Sequence, residues 1–162
     1  MDRFQELYRG DLAAYGDGPV PFLTRCFHYR LRKVQTAGGS LARFWEHFCF
    51  RVISGRLRME ISFGASIGKG LCLPHPYTIT VNSNAVLGEN VTLGKNVTIG
   101  KQNRGEREGT PVIGNRVVIG DNAVIVGKIT IGDDVWIAPN AYVNRDIPAG
   151  AAVEGNPCKV IR

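Results

Sequence analysis

Residues 111–143 read PVIGNRVVIGDNAVIVGKITIGDDVWIAPNAYV, and a large aliphatic side chain returns there at every sixth position: Ile113, Ile119, Ile125, Ile131, Ile137 and Val143. A smaller residue tends to follow four places later, as at Val117, Ala123, Val135 and Ala141. An amphipathic helix repeats its apolar stripe at three and four, so a period of six reads instead as a short strand followed by a corner. Three such units close one triangular coil of eighteen residues, and stacked coils place each aliphatic residue on its equivalent one turn away. The repeat is then itself the core.

The period extends in both directions. Upstream lie Ile61, Ile67, Leu73 and Ile79, then Val81, Leu87, Leu93 and Ile99; downstream the next position is Ala149. Glycine directly follows the aliphatic residue at 68, 88, 94, 100, 114, 120, 132 and 150, which predicts corners whose backbone needs positive φ. Two breaks interrupt the pattern: a two-residue slip between Ile79 and Val81, and the polar stretch KQNRGEREGTP at 101–111, which must leave the column as a surface loop.

The first part of the chain lacks the repeat. Segments at about 21–36 and 40–55 carry apolar residues at helical spacing, separated by Gly38, Gly39 and Ser40. Phe22, Cys26, Tyr29 and Val34 are expected on the inner face of the first, and Leu41, Trp45, Phe48, Val52 and Ile53 on that of the second. The expected organisation is one compact unit: an α-helical N-terminal region, 1–58, and a mainly β domain, 59–162, with a projecting loop and a C-terminal tail.

Composition narrows the partners. Of a formal charge of +6, residues 1–60 hold ten Lys or Arg against six Asp or Glu, so the basic excess sits mainly near the N-terminus. No aromatic residues interleave with it as a stacking platform for single-stranded nucleic acid would, and nucleic acid is not an expected partner. The basic helices, with Arg25, Arg30, Arg32, Lys33, Arg43 and Arg51, leave a solvated face or peripheral membrane contact as alternatives. No run of eighteen apolar residues and no signal-peptide pattern occurs, which places the chain in the cytoplasm. Cys26, Cys49, Cys72 and Cys158 lie 23, 23 and 86 residues apart, a spacing that suits reduced, mostly buried thiols and neither a metal site nor a disulfide framework.

Three stretches carry a resemblance to a known family: ISFGASIGKGLCLPHPYTITVN with its histidine, VTLGKNVTIGKQNRGEREGTPVIG with its loop, and the tail IPAGAAVEGNPCKVI. Over about residues 58–162 the chain resembles the hexapeptide-repeat acyltransferases, within them the serine acetyltransferase-like branch that is also found in bacterial polysaccharide gene sets. The resemblance implies a left-handed parallel β-helix, contrary to the usual right-handed crossover. It also implies acetyl-CoA as acyl donor and homotrimers with active sites between subunits.

His75 is the one histidine in the repeat region, and it matches the family's catalytic base. A hydroxyl is a poor nucleophile at neutral pH, so its acetylation needs a group to take the proton. Glu60 falls where the family has an acid, there the shorter Asp, that orients the histidine. Coenzyme A contacts are implied near Gly100, Lys101, Gly120, Asp121, Ala138 and Lys159. Serine acetyltransferases also carry an Asp just before the histidine and an Arg-His pair on the loop; here those places are Pro74, Gly109 and Thr110. The loss of charged partners, together with the short N-terminal region, favours a sugar hydroxyl over serine as acceptor. Serine acetylation and a non-catalytic scaffold stand as alternatives. A β-helical carbonic anhydrase would need three histidines converging on zinc, and His28 and His47 lie outside the repeat, so no metal is expected.

Overall fold

The computed structural model describes residues 2–162, the side chain of Ser40 excepted. Three helices, α1 (Arg3–Ala13), α2 (Phe22–Thr36) and α3 (Ser40–Arg56), precede short strands that form three parallel sheets. Sheet 1 stacks Glu60–Ile61, Thr80–Val81, Thr98–Gly100, Val124–Val126 and Tyr142–Val143. Sheet 2 stacks Ser66–Ile67, Val86–Leu87, Val112–Ile113 and Thr130–Ile131. Sheet 3 runs from Thr92–Leu93 through Val118–Ile119 and Trp136–Ile137 to Ala152–Glu154, where Lys159–Val160 turns back antiparallel and closes the stack. The chain thus winds around a β-helix, and the aliphatic positions from Ile61 to Val143 are all buried in one column.

Register locates the breaks. Glu60 pairs with Thr80, twenty residues on, as Cys72 does with Thr92, whereas Thr80 pairs with Thr98. The two extra residues therefore lie between Cys72 and Thr80, in the corner that holds His75, and not between Ile79 and Val81 as the spacing suggested. Val86 pairs with Val112, so the second insertion sits at the 101–111 loop as expected; a bridge between Gln102 and Gly109 ties its base. The period also ends earlier than it reads: Ala149 is exposed, and Ile147 takes the inward place beside Ile131.

The corner glycines serve packing more than dihedral freedom. Positive φ falls instead three residues after the aliphatic position, at Asn90, Asn96, Arg116, Asn122, Asp134 and Asn140; of the eight predicted glycines only Gly150 has it. Asn and Asp accept this region because their short polar side chains bond locally. At Gly88 a Cβ atom would stand 2.6 Å from the Gly114 carbonyl oxygen, so the next coil's backbone occupies the space a side chain would need.

The helices correct the sequence reading further. α1 was not anticipated. Phe22 is exposed, and Cys26 and Tyr29 are at best half-buried; α2 instead turns Phe27, His28, Leu31 and Arg32, with Val34, inward. α3 buries Phe50, Ser54 and the Leu57 that follows it, with Ile53 packed alongside, while the expected inner residues Leu41, Trp45, Phe48 and Val52 face outward. α3 is apolar nearly all round, so its periodicity does not single out one face. All four cysteines are free, but only Cys158 is buried.

The first coil has no coil beneath it, and its downward backbone groups need other partners. One turn higher, Leu87 O accepts from Gly68 N, Asn90 N donates to Lys69 O and Leu93 N donates to Cys72 O. The equivalents twenty residues earlier meet helix side chains instead. Ile67 O and Gly68 O accept from the Arg32 guanidinium at 2.8 and 2.6 Å. Gly70 N and Leu71 N donate to Asp11 Oδ1, each at 3.0 Å. Arg32 Nη2 and Nε also bond Asp11 at 2.6 and 2.7 Å, and both side chains are fully buried. Burial alone would raise the Asp11 pKa, but hydrogen bonds from His28 and Arg32 and the Arg32 charge hold it below the ordinary carboxylate value.

Asp11→Asn strands a buried guanidinium and is expected to cost about 3–5 kcal/mol, read from urea midpoints. Since the folded Asp11 pKa is depressed, its contribution is full above the unfolded carboxylate value of about 3.9 and is lost as pH falls below it towards the folded value. Melting temperature should therefore drop more between pH 5 and pH 3 in the wild type than in Asp11→Asn. Gly88→Ala should cost about 1–3 kcal/mol by overpacking, with the fold retained by circular dichroism.

Candidate active site

Register also fixes what the sheet 3 edges gather. Cys72, Thr92, Val118, Trp136 and Ala152 stack in that order. The residues that follow them turn the corner from sheet 3 to sheet 1, so His75, Lys95, Asp121, Pro139 and the Glu154 end of the last strand lie along one edge of the prism. At about 4.8 Å between strands, the His75 corner and the Ala138 corner are some 14 Å apart. Gly120, Asp121, Ala138 and Lys159 therefore share an edge with His75. Glu60 opens sheet 1 at the start of the same first coil, one strand below Thr80, its amide donating to Ile79 O at 2.8 Å. Gly100 and Lys101 lie at the far end of sheet 1, where the loop departs.

The two extra residues make the His75 corner bulge. Pro74, His75, Tyr77 and Thr78 are exposed, Pro76 is buried, and Thr78 holds φ at 56°. The Tyr77 amide donates to His75 O at 2.7 Å, folding the backbone so that the imidazole projects from the edge. His75 and Glu60 are not joined by a hydrogen bond among the described residues. Glu60 instead lines a cavity of about 550 Å³ with Ser54, Arg58, Met59, Ser62 and Phe63, on the side of α3. Ser54 Oγ is buried there without a partner.

The expected coenzyme A residues have structural duties as well. A Cβ at Gly120 would stand 2.6 Å from Pro139 N. Asp121 Oδ1 accepts from Lys95 N at 3.0 Å, fastening the coil before it. The Ala138 amide donates to Val153 O at 2.8 Å. Lys159 is exposed and paired in register with Glu154. Thr110, on the loop, donates its hydroxyl to Asn84 O at 2.9 Å. Among the described residues no three His, Cys, Asp or Glu side chains gather as a metal site would need.

A group the sequence did not reveal stands behind the histidine corner. Leu73 N donates to the Tyr15 hydroxyl at 2.9 Å, and that oxygen lies 2.9 Å from His28 Nε2. His28 Nδ1 lies 3.2 Å from Asp11 Oδ2. The Tyr15 hydroxyl has one proton and two acceptors in reach, Leu73 O at 3.2 Å and His28 Nε2 at 2.9 Å; with the Nδ1 proton directed to the Asp11 carboxylate, the nearer Nε2 takes it. Burial is the main force pushing the Tyr15 pKa far up, so the hydroxyl keeps its proton throughout the working range. The chain Asp11–His28–Tyr15 ends on Leu73, two residues before His75. These contacts span 13 and 58 residues of sequence, and no local pattern signals them.

The chain is similar to known proteins. The family model for the bacterial transferase hexapeptide (six repeats) matches residues 110–145. A serine acetyltransferase of Helicobacter pylori is 38% identical over 111 residues, covering 68% of this chain and 63% of that protein. One of Mycobacterium tuberculosis is 34% identical over 111 residues, 68% of this chain and 47% of its own. This chain thus spans less than two thirds of the length of these relatives. Among solved structures, the soybean serine acetyltransferase apoenzyme superposes with a TM-score of 0.83 at 26% identity, covering 98% of this chain and 69% of that one. The Brucella abortus serine acetyltransferase in complex with coenzyme A gives 0.82 at 26%, covering 98% and 67%. The β-helix is accordingly the left-handed form of hexapeptide-repeat proteins, and the likeness extends through the helices.

Tyr15→Phe removes the acceptor of the Leu73 amide and leaves His28 Nε2 without a donor. Hydrogen exchange should accelerate at Leu73 by about 5- to 150-fold, the equivalent of about 1–3 kcal/mol, with amides at 112–143 unchanged.

Proposed function

We propose that this chain is a hexapeptide-repeat transferase that moves an acetyl group from acetyl-CoA to a hydroxyl, with His75 as general base. The observation that carries this reading is the bulged corner: two extra residues push a single imidazole out at one end of an edge along which Gly120, Asp121, Ala138 and Lys159 follow. An elongated thioester substrate laid along that edge brings its acyl end to His75. The coenzyme A complex of the Brucella relative supports the donor.

The step itself is simple in balance. The acceptor hydroxyl gives its proton to the unprotonated ring nitrogen of His75 as its oxygen adds to the thioester carbonyl. The C–S bond then breaks, the proton passes to the departing sulfur, and an ester and a free thiol result. Glu60 acts as the positioning acid for His75 once acceptor and donor are in place. Lys159 on the tail offers charge to the donor's phosphates, and Lys101, on a different edge, does so across the subunit boundary. The enzyme works as a homotrimer, whose neighbouring coils wall the edge; the half-exposed Val118 and Trp136 on sheet 3, and Val86 and Val112 on sheet 2, suit such contacts.

Serine is the acceptor that the relatives' names supply. A second reading, a sugar hydroxyl, is favoured by the corner and loop themselves: Pro74, Gly109 and Thr110 carry no charge for an amino acid's ammonium or carboxylate, and the Thr110 hydroxyl is already engaged by Asn84.

Free thiol release from acetyl-CoA should fall by about 10²- to 10⁴-fold in His75→Ala, with melting unchanged because the side chain is exposed. Serine and a panel of sugars, offered separately, decide the acceptor. If no acceptor gives His75-dependent release, the acetyltransferase reading fails.

A further inference from the structure

Among the described residues, nothing covers the outward face of α3. Leu41, Phe44, Trp45, Phe48 and Val52 are 82, 70, 60, 55 and 47% exposed. At 3.6 residues per turn they fall on one side of the helix, a stripe about 17 Å long from Leu41 to Val52. Trp45 and Phe48 stack on each other there, ring centroids 5.9 Å apart. Arg51 borders the stripe on one flank and Arg56 on the other. The one acid of α3, Glu46, lies on the opposite side and is held by Arg30 at 2.8 Å.

We propose that this face is a membrane-docking surface that takes an anionic bilayer. The reason is charge complementarity. An aromatic stripe rimmed by unneutralised arginines is the pattern of a helix that lies in the interface plane, rings at the acyl boundary and guanidinium groups among phosphates. A second copy fits the face poorly, since its own stripe offers no carboxylate to pair with Arg51 and Arg56. The contact is peripheral, as no helix is long and apolar enough to cross a membrane.

The test is vesicle flotation of the intact protein with phosphatidylcholine alone and with phosphatidylcholine containing phosphatidylglycerol. Binding is expected to the anionic vesicles only, to weaken with salt, and to fall at least tenfold in the double variant Trp45→Ser/Phe48→Ser and several-fold in Arg51→Gln/Arg56→Gln. In a Trp136→Phe background, the fluorescence of Trp45 should shift to the blue on binding. All substitutions lie on exposed positions, and circular dichroism with melting confirms folding. Absence of vesicle binding, or binding that survives the aromatic double variant, overturns the proposal. So does a fall in solution mass in Trp45→Ser/Phe48→Ser without vesicle binding, which would give the face to a second copy.

Discussion

Strands of two or three residues cannot persist alone, and every part of this molecule depends on how coils hold one another. Each coil spends its backbone groups on the coils above and below, and its inward side chains on the same aliphatic column. The side chain that would stand between coils at Gly88 or Gly120 is excluded, because the next backbone is already there. The left-handed positions at Asn90, Asn96, Asn122 and Asn140 turn the chain at each corner. Stacking is thus the source of both the stability and the geometry of the site, since residues 16 to 26 apart in sequence become neighbours along an edge.

How much of this the sequence disclosed follows from how far each interaction reaches. The period of six, the coil and the 101–111 loop were legible because they repeat or interrupt a repeat. His75 was legible as the histidine within that repeat. The exact seat of the two-residue slip was not, because Ile79 is inward either way and the spacing is satisfied by an insertion on either side of it. Ala149 occupied a periodic position, yet Ile147 fills the column better by volume. The inner face of α3 was illegible for a different reason: with apolar residues around most of its circumference, burial was decided by α2 and the first coil. The assembly of Asp11, His28, Arg32 and Tyr15 joins α1, α2 and the first coil over separations of 13 to 60 residues, and no short-range signal marks it.

The acceptor shows where likeness and local chemistry pull apart. The relatives share the repeat and the helices, and their names give serine. Pro74, Gly109 and Thr110 are neutral, the Gly109 backbone is bonded to Gln102, and the Thr110 hydroxyl is bonded to Asn84 O. Fold-level likeness bears on the edge that all coils create, whereas acceptor choice in such a site rests on a few side chains at one end.

The side chains beneath the first coil have a meaning for the population of molecules as well as for one. An open end of a parallel stack is a template on which another stack could add, coil upon coil, into a fibre. Arg32, Asp11 and Tyr15 occupy the bonding positions of Ile67, Gly68, Gly70, Leu71 and Leu73 that an incoming chain would use. At the other end the antiparallel return of Lys159–Val160 offers the wrong strand direction to continue. The same buried ion pair that anchors the helices therefore keeps a self-complementary solenoid finite, and a molecule that lost it would carry a seed for its own polymerisation.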